Sequence, residues 1–230
     1  MNEVLQEVDR ISKIISEKFP RQIDGKEAVL WMKQFGINWK QMEWMGFYFE
    51  EFLFKVLKDN LGGEEGPLFG RTRIDYKNKF IWDFKSHSEC NSNGQKVCWA
   101  IMNDKEAIEK CINNFGGIGF ILGEFGVVFD SDQSFKKWHD DLKGEKSEYV
   151  LRREKEGASQ RVRKKEVILK RVLFIYFKSV SDLKEGLKNG WLSGFQEGMR
   201  NSNNLLRRVK IQCNLSKIPP KYILKEINYE

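Results

Sequence analysis

Hydrophobic and polar positions alternate along this chain with periods that change from segment to segment, and each period predicts a kind of element. The helical spacing is clearest at 41–59, QMEWMGFYFEEFLFKVLKD, which is followed by Asn60 and the pair Gly62-Gly63 as stop signals. The same spacing predicts further helices at 3–18, 25–34, 104–114, 132–142 and 180–189.

Strand-like segments lie between these helices. Alternating or continuously apolar runs predict strands near 69–76, 79–87, 117–122, 125–129, 166–178 and 205–214. The turn-like Lys77-Asn78-Lys79 separates the first two, so we expect them to pair as a hairpin. Because helices alternate with strands, the pattern predicts an α/β (α+β) fold with a mixed central sheet flanked by helices and a helical N-terminal portion.

Composition and charge narrow the class of protein. The chain has 230 residues, of which 40% are hydrophobic and 13% aromatic, enough for a core, so the chain as a whole is not disordered. Its formal net charge of +7 is typical of proteins that bind a polyanion. The polar segment 143–165 concentrates this charge, with seven basic and two acidic residues within 152–165.

Several other classes of protein are not supported. The N-terminal segment lacks the apolar stretch of a signal peptide, and GGIGFILGEFGVVF is too short and glycine-rich to span a bilayer, so no membrane role is expected. Four cysteines without zinc-site spacing predict reduced thiols in a cytoplasmic protein without structural zinc. The absence of a G-x-x-x-x-G-K-[ST] motif argues against a nucleotide cofactor.

The predicted hairpin RTRIDYKNKFIWDFKSH carries the chemistry of interest. Its second strand, FIWDFK, places three aromatic side chains on one face, which we assign to the core, and Asp83 and Lys85 on the other. Asp75, at the end of the first strand, comes close to both if the strands pair. Two carboxylates and an ammonium would then cluster at one end of the sheet.

Two interpretations of this cluster stay open at this point. Carboxylates of this kind hold Mg²⁺ in enzymes that cut phosphodiesters, and a nearby lysine orients water or stabilises the oxyanion. The alternative is a cross-strand ion pair on a sheet surface, worth about 0.2–1 kcal/mol.

The helix before the hairpin favours the metal site. On a helical wheel Glu50 falls within the apolar arc, where a carboxylate is costly unless it meets a cation or a metal. Glu51 falls on the wet side and is interpreted as a solvated partner of Lys55.

The helix acid in GFYFEE followed by RIDYKNKFIWDFK resembles the PD-(D/E)xK nuclease superfamily, and within it the type II restriction endonucleases. The resemblance covers about 44–87 and implies a restriction-endonuclease-like fold. By position, Asp75 matches the family's first aspartate, Asp83 its second acid and Lys85 its catalytic lysine.

The same resemblance extends the site by two groups. Glu50 matches the auxiliary acid of the family's helix, and the backbone carbonyl of Phe84 would complete the metal shell with Asp75 and Asp83. One departure is Ile74, which stands where the family's motif has proline.

The resemblance implies a Mg²⁺-dependent type II restriction endonuclease of a restriction-modification system, which cuts double-stranded DNA at a specific sequence. A homodimer is implied because two identical sites cut the two strands of a palindrome. Alternatives are a structure-specific repair or junction nuclease of the same superfamily, and a non-catalytic nucleic-acid-binding regulator in which the Asp83–Lys85 pair is structural. An enzyme of small molecules ranks third, with nothing in the sequence to support it.

Two polar segments are candidates for DNA contact. RREKEGASQRVRKK offers phosphate and guanine contacts, and EGMRNSNNLLRR offers arginine and asparagine for base edges; the alternatives are a solvated loop and an asparagine-rich turn. The DNA-binding candidates are Arg152, Arg153, Arg161, Arg163, Lys164, Lys165, Arg200, Asn201 and Asn203. His87, next to the motif, is either a DNA contact or a plain hydrogen-bonding residue.

The chain is read as one nuclease domain, 1–230, in three parts. Residues 1–43 form the helical N-terminal portion, and 44–142 form the catalytic core. Residues 143–230 supply the basic DNA-contacting loop and the C-terminal strands.

Overall fold

A computed structural model describes residues 2–144, 148–157, 161–200 and 204–229. Within these ranges the helices are α1 Asn2–Lys18, α2 Gly25–Gln34, α3 Trp44–Leu61, α4 Lys105–Phe115, α5 Ser134–Lys143, α6 Glu148–Lys155 and α7 Val180–Lys188, with a short 3-10 helix at Pro220–Tyr222. The strands are β1 Gln22–Asp24, β2 Leu68–Phe69, β3 Thr72–Arg73, β4 Tyr76–Lys77, β5 Ile81–Ser88, β6 Trp99–Asp104, β7 Ile118–Phe129, β8 Lys164–Phe177, β9 Leu192–Phe195, β10 Lys210–Asn214 and β11 Ile223–Asn228.

The central sheet has the strand order β1-β8-β7-β5-β4, and β11 pairs with β8 beside β1. Strand β8 is long enough for both neighbours, since β1 pairs with its first part and β11 with its second. Strands β5 and β7 are parallel, which requires a crossover, and α4 lies on that crossover. The other pairs in this sheet are antiparallel.

Strand β5 is buried on both faces. Trp82 and Phe84 pack into a core shared with α1, α2 and α3. On the opposite face, Ile81 packs into a second core shared with α4, α7 and a smaller sheet of order β6-β10-β9. The motif strand therefore runs between two hydrophobic layers.

The structure confirms a mixed central sheet flanked by helices. Every predicted helix is present with ends shifted by up to three residues, the largest shift being the start of α3 at Trp44. Membrane-spanning length and apolarity are not reached by any helix in the described ranges. All four cysteines are free thiols, as predicted.

Four of the predicted strands differ in detail from the structure. The strand predicted at 69–76 is interrupted, because Gly70 adopts a φ of +64° in the turn between β2 and β3. The strands predicted at 117–122 and 125–129 form one strand, β7, with a register shift between Glu124 and Phe125. The predicted strand 205–214 starts only at Lys210, since Leu205 and its neighbour are exposed.

Other elements were missed. The pattern did not predict β1, β6, β9, β11 or α6, and the segment expected to be a polar loop contains α6 and the start of β8. The missed strands are short, and their mixture of polar and apolar residues is similar to that of turns.

Candidate functional site

The motif hairpin is fixed at its turn by a buried carboxylate from α1. Glu7, fully buried, accepts a hydrogen bond from Trp82 Nε1 at 2.8 Å and one from the Lys79 backbone N–H at 3.2 Å. Strands β4 and β5 pair as predicted, with Tyr76 opposite Trp82. Asp75, just before β4, is thereby brought beside the middle of β5.

Four oxygen atoms converge on the ammonium group of Lys85. Its Nζ lies 2.8 Å from Asp83 Oδ2, 3.7 Å from Asp75 Oδ2 and 3.7 Å from Glu50 Oε1. It also donates a hydrogen bond of 2.7 Å to the Phe84 carbonyl. The structure thus brings together all five groups that the resemblance assigns to the catalytic and metal site.

This cluster is largely removed from solvent. The Asp83 side chain is fully buried, and those of Lys85, Asp75 and Glu50 are 17%, 20% and 32% exposed. The cluster is therefore not the solvent-exposed ion pair of the alternative interpretation. An ion pair buried inside the fold remains a structural alternative, and buried pairs are weak sources of stability because both charges are desolvated.

The two oxygens of Asp83 have different surroundings. Oδ1 accepts a 3.0 Å hydrogen bond from the Asn103 side-chain amide. Oδ2 lies 2.8 Å from the Lys85 ammonium, and no other donor among the described residues reaches it. A buried carboxylate oxygen whose partner is a cation also suits a hard cation such as Mg²⁺, which takes oxygen ligands.

Asp75 is held in place through the backbone of β5. Its Oδ2 accepts a 2.6 Å hydrogen bond from the Phe84 N–H. The Phe84 carbonyl accepts a hydrogen bond from the Lys85 ammonium, so the backbone of a single residue of β5 contacts both an acid and the ammonium.

Burial and mutual repulsion shift the pKa values of the cluster. Burial raises the pKa of Asp83 well above its ordinary value, against the opposing charge of Lys85. Burial also raises the pKa of Glu50 to about 7; the charge of Lys85 opposes this shift, and that of Asp75 adds to it. For Lys85, burial alone would lower the pKa, but the three carboxylates outweigh it and raise the pKa above its ordinary value.

A small acidic cleft opens beside the cluster. It has a volume of about 110 Å³ and is lined by Glu50, Glu51, Phe54, Glu65, Arg73 and Asp75. The prediction that Glu51 is a solvated partner of Lys55 is wrong, because Lys55 pairs with Asp59 at 3.0 Å. Burial and the charge of Asp75 raise the pKa of Glu51, which faces the cleft.

Within the described ranges, no group of three side chains is already arranged to bind a metal ion through histidine, cysteine, aspartate or glutamate. The reason lies at the centre of the cluster, where a lysine ammonium separates the carboxylates. A divalent cation would compete with that ammonium for the same oxygens.

The basic segment is divided between buried and exposed residues. Arg163 is 5% exposed, and its guanidinium donates to Asp140 Oδ1 at 2.6 Å and lies 3.3 Å from His139 Nδ1. This position contradicts its prediction as a DNA contact, since the guanidinium is used inside the fold. Arg161, two residues earlier, is exposed and lines a groove of about 400 Å³ with Lys136.

The remaining DNA-binding candidates are distributed over several elements. Lys164 pairs with Glu43, and Lys165 lies 3.3 Å from Asp132. Both open β8, whereas Arg152 and Arg153 lie on α6 and exposed Arg200 lies in the loop between β9 and β10. Asn201 and Asn203 lie outside the described residues.

Two further side chains lie near the motif. His87 has a structural role, and Asn103 was not predicted. His87 is buried, its Nε2 lies 2.8 Å from the Val97 carbonyl, and burial lowers its pKa, so it is a hydrogen-bonding residue of the interior. Asn103 was missed because β6, which carries it, was not predicted. The run AIMND gives only a weak alternation of apolar and polar residues.

Comparisons with protein-family models, with curated proteins and with solved structures give no match to this chain.

Proposed function

We propose that this protein is a Mg²⁺-dependent endonuclease with a restriction-endonuclease-like fold that hydrolyses phosphodiester bonds in double-stranded DNA. One observation carries the proposal, the convergence of three carboxylates and a backbone carbonyl on one cation position along β5. That set of donors suits a hard divalent cation, and it lies beside a cleft open to substrate.

In this proposal Asp75, Asp83 and the Phe84 carbonyl hold Mg²⁺, and Glu50 assists as a further ligand or as a partner of Lys85. Bound Mg²⁺ would neutralise charge on the attacked phosphate and lower the pKa of its water. Mg²⁺ would also reduce electrostatic repulsion, because an acidic cleft repels a phosphodiester unless a cation is present.

Lys85 orients the attacking water and stabilises the charge that develops on the phosphate oxygens. Water adds to phosphorus as one P–O bond to deoxyribose breaks, which leaves a phosphate monoester on one end and a hydroxyl on the other. The Lys85 side chain is largely buried, so its ammonium would stay beside the carboxylates when Mg²⁺ takes its present place among them.

Exposed basic residues outside the cleft are the proposed DNA contacts. Arg161 and Arg200 are exposed, and Lys165 is about one third exposed, so these side chains can displace counterions from the DNA backbone. The finer assignment is a type II restriction endonuclease that acts as a homodimer, in which each copy cuts one strand of a palindromic site.

A second candidate is a non-catalytic nucleic-acid-binding protein. The observation in its favour is that Lys85 already pairs with the carboxylates, so the cluster has a cationic partner without any metal. This version predicts that the protein binds DNA without cutting it.

The test is incubation of the protein with a panel of DNA molecules, with Mg²⁺ and with a chelator. The panel contains long linear duplexes, supercoiled plasmid, and duplexes with flaps or four-way junctions. We expect discrete, Mg²⁺-dependent fragments of the long duplexes and direct linearisation of the plasmid, and sequenced ends would give the site. Selective cutting of flaps or junctions would replace the restriction assignment by a repair nuclease, and intact DNA in every arm would contradict the nuclease.

A further inference from the structure

Asn103 is the side chain that contacts Asp83 from the second sheet. It is the penultimate residue of β6, which leads directly into α4, so an element that the motif does not include brings it to β5. Its amide nitrogen donates a 3.0 Å hydrogen bond to Asp83 Oδ1.

The orientation of the Asn103 amide is fixed by the backbone. The Asp104 N–H donates a 2.8 Å hydrogen bond to Asn103 Oδ1, which can only accept. The amide nitrogen must therefore be the atom that faces Asp83.

The Asp104 side chain is held in place by hydrogen bonds of its own. Its carboxylate is buried and accepts hydrogen bonds from Thr72 Oγ1 at 2.6 Å and from Arg208 Nη1 at 3.1 Å. These hydrogen bonds join β3, which precedes β4 and β5, to the residues that lead into β10. The peptide that orients the Asn103 amide thus has little freedom to move.

We propose that Asn103 is a positioning residue that holds Asp83 by Oδ1, so that Oδ2, which lies 2.8 Å from the Lys85 ammonium, faces the cation position. This inference rests on the proposed function, because it assigns a role toward the metal of the same site. Groups that orient metal ligands typically affect metal affinity or activity by about 10–100-fold when they are removed.

The test uses Asn103→Leu, which keeps the branched shape of the side chain at a larger volume and removes the donor, with Asn113→Ala on the exposed face of α4 as the control. Manganese binding to the DNA-free protein is measured by titration calorimetry, and the Mg²⁺ concentration for half-maximal cleavage is measured on a substrate of the wild type. We expect Asn103→Leu to weaken both by about 10–100-fold and Asn113→Ala to leave both unchanged. If Asn103→Leu does not fold, Asn103→Ala supports the same comparison.

The outcomes separate this inference from the proposed function. A folded Asn103→Leu that binds manganese as tightly as the wild type would overturn the positioning role alone, provided that the wild type cuts DNA. A wild type that neither binds manganese nor cuts DNA would overturn both. A lower melting temperature with unchanged metal affinity would show that Asn103 only supports the fold.

Discussion

At the scale of single residues, the unusual feature is a lysine placed where the carboxylates would hold a metal. The Lys85 ammonium lies between Asp83, Asp75 and Glu50 and is largely buried. Three carboxylates in a poorly hydrated site repel one another strongly, so a cation beside them is required for the fold as well as for the proposed chemistry. Without a divalent ion, the lysine supplies that charge.

Replacement of this lysine should therefore destabilise the protein. We expect Lys85→Met to lower the free energy of unfolding in chelator by about 3–5 kcal/mol, since one partner of a buried ion cluster is removed. Added Mg²⁺ should restore part of the loss by binding to the vacated oxygens. Urea unfolding with and without Mg²⁺ measures both effects.

The matched control is Lys55→Met, because Lys55 pairs with Asp59 on the exposed side of α3. Its effect should stay within about 0.5 kcal/mol, as is usual for surface substitutions. Equal stability of the two variants would show that the ammonium is not needed by the carboxylates.

Residue-level prediction from sequence succeeded where a single element or an adjacent pair sets the contact. The helical wheel placed Glu50 toward the site, and the strand period placed Asp83 beside Lys85. It failed for Glu51, because its orientation depends on the neighbouring hairpin and not on α3 alone. It also missed Asn103, which reaches Asp83 from another sheet.

At the scale of elements, contact with α5 distinguishes two arginines of the same basic segment. Arg163 reaches back from the start of β8 to Asp140 and His139 of α5, which fastens the helix to the sheet. Arg161 lies two residues earlier with an exposed side chain. Charge counts along a sequence do not distinguish these positions, because burial of an arginine depends on partners distant in the chain.

This difference in burial predicts that alanine substitutions of the two arginines change different properties of the protein. Arg163→Ala should lower the free energy of unfolding by about 1.5–3 kcal/mol, as expected for lost hydrogen bonds to a charged partner. Arg161→Ala should leave stability unchanged and reduce the salt dependence of DNA affinity by a slope of about one. Thermal unfolding and DNA titration at several salt concentrations measure the pair. A stable Arg163→Ala that binds DNA weakly would restore the original assignment of Arg163.

His139 gives α5 a pH-dependent contact. Its Nε2 lies 2.8 Å from the Trp39 carbonyl, and Nδ1 faces the Arg163 guanidinium, so the neutral ring donates on one side and accepts on the other. Burial lowers the pKa of His139 to about 4, the charges of Lys143 and Arg163 add to this shift, and that of Asp140 opposes it.

The lowered pKa sets the sign of the pH dependence. Because the unfolded chain binds this proton more tightly, the stabilisation is complete above about pH 6.5 and is lost as the pH falls toward 4. We expect the melting temperature to fall over this window by more in the wild type than in His139→Gln, which keeps a donor and an acceptor without titrating. Parallel melting curves across the window would contradict the assignment.

Whole elements were predictable only where the pattern is long. Helices of ten or more residues and the apolar strands of the central sheet were found, because their periodicity extends over several turns or pairs. Strands β6 and β9 of the sheet β6-β10-β9 were not predicted, since they are short and gain their burial from α4 and α7. Without them, a surface ion pair on that face of the motif strand stayed open as an alternative.

At the scale of the whole molecule, a basic protein carries an acidic cleft. The net charge of +7 favours approach to a polyanion, whereas the cleft beside the cluster is lined mainly by carboxylates. Binding of DNA and entry of a phosphate into the cleft therefore have different electrostatic requirements. We infer that DNA binding tolerates the absence of Mg²⁺ and that cleavage does not.

The most direct measurement of the central claim is the single-turnover rate of DNA cleavage in Mg²⁺ for the wild type, Asp83→Asn and the control Asp59→Ala, with DNA affinity measured alongside. Asp83→Asn keeps the shape of the buried side chain and removes its charge. We expect unchanged DNA affinity for all three, full cleavage by Asp59→Ala, and a loss of at least about 10³-fold for Asp83→Asn, or roughly 4 kcal/mol in activation free energy. DNA bound but never cut by the wild type, or cut equally well by Asp83→Asn, would contradict the central claim.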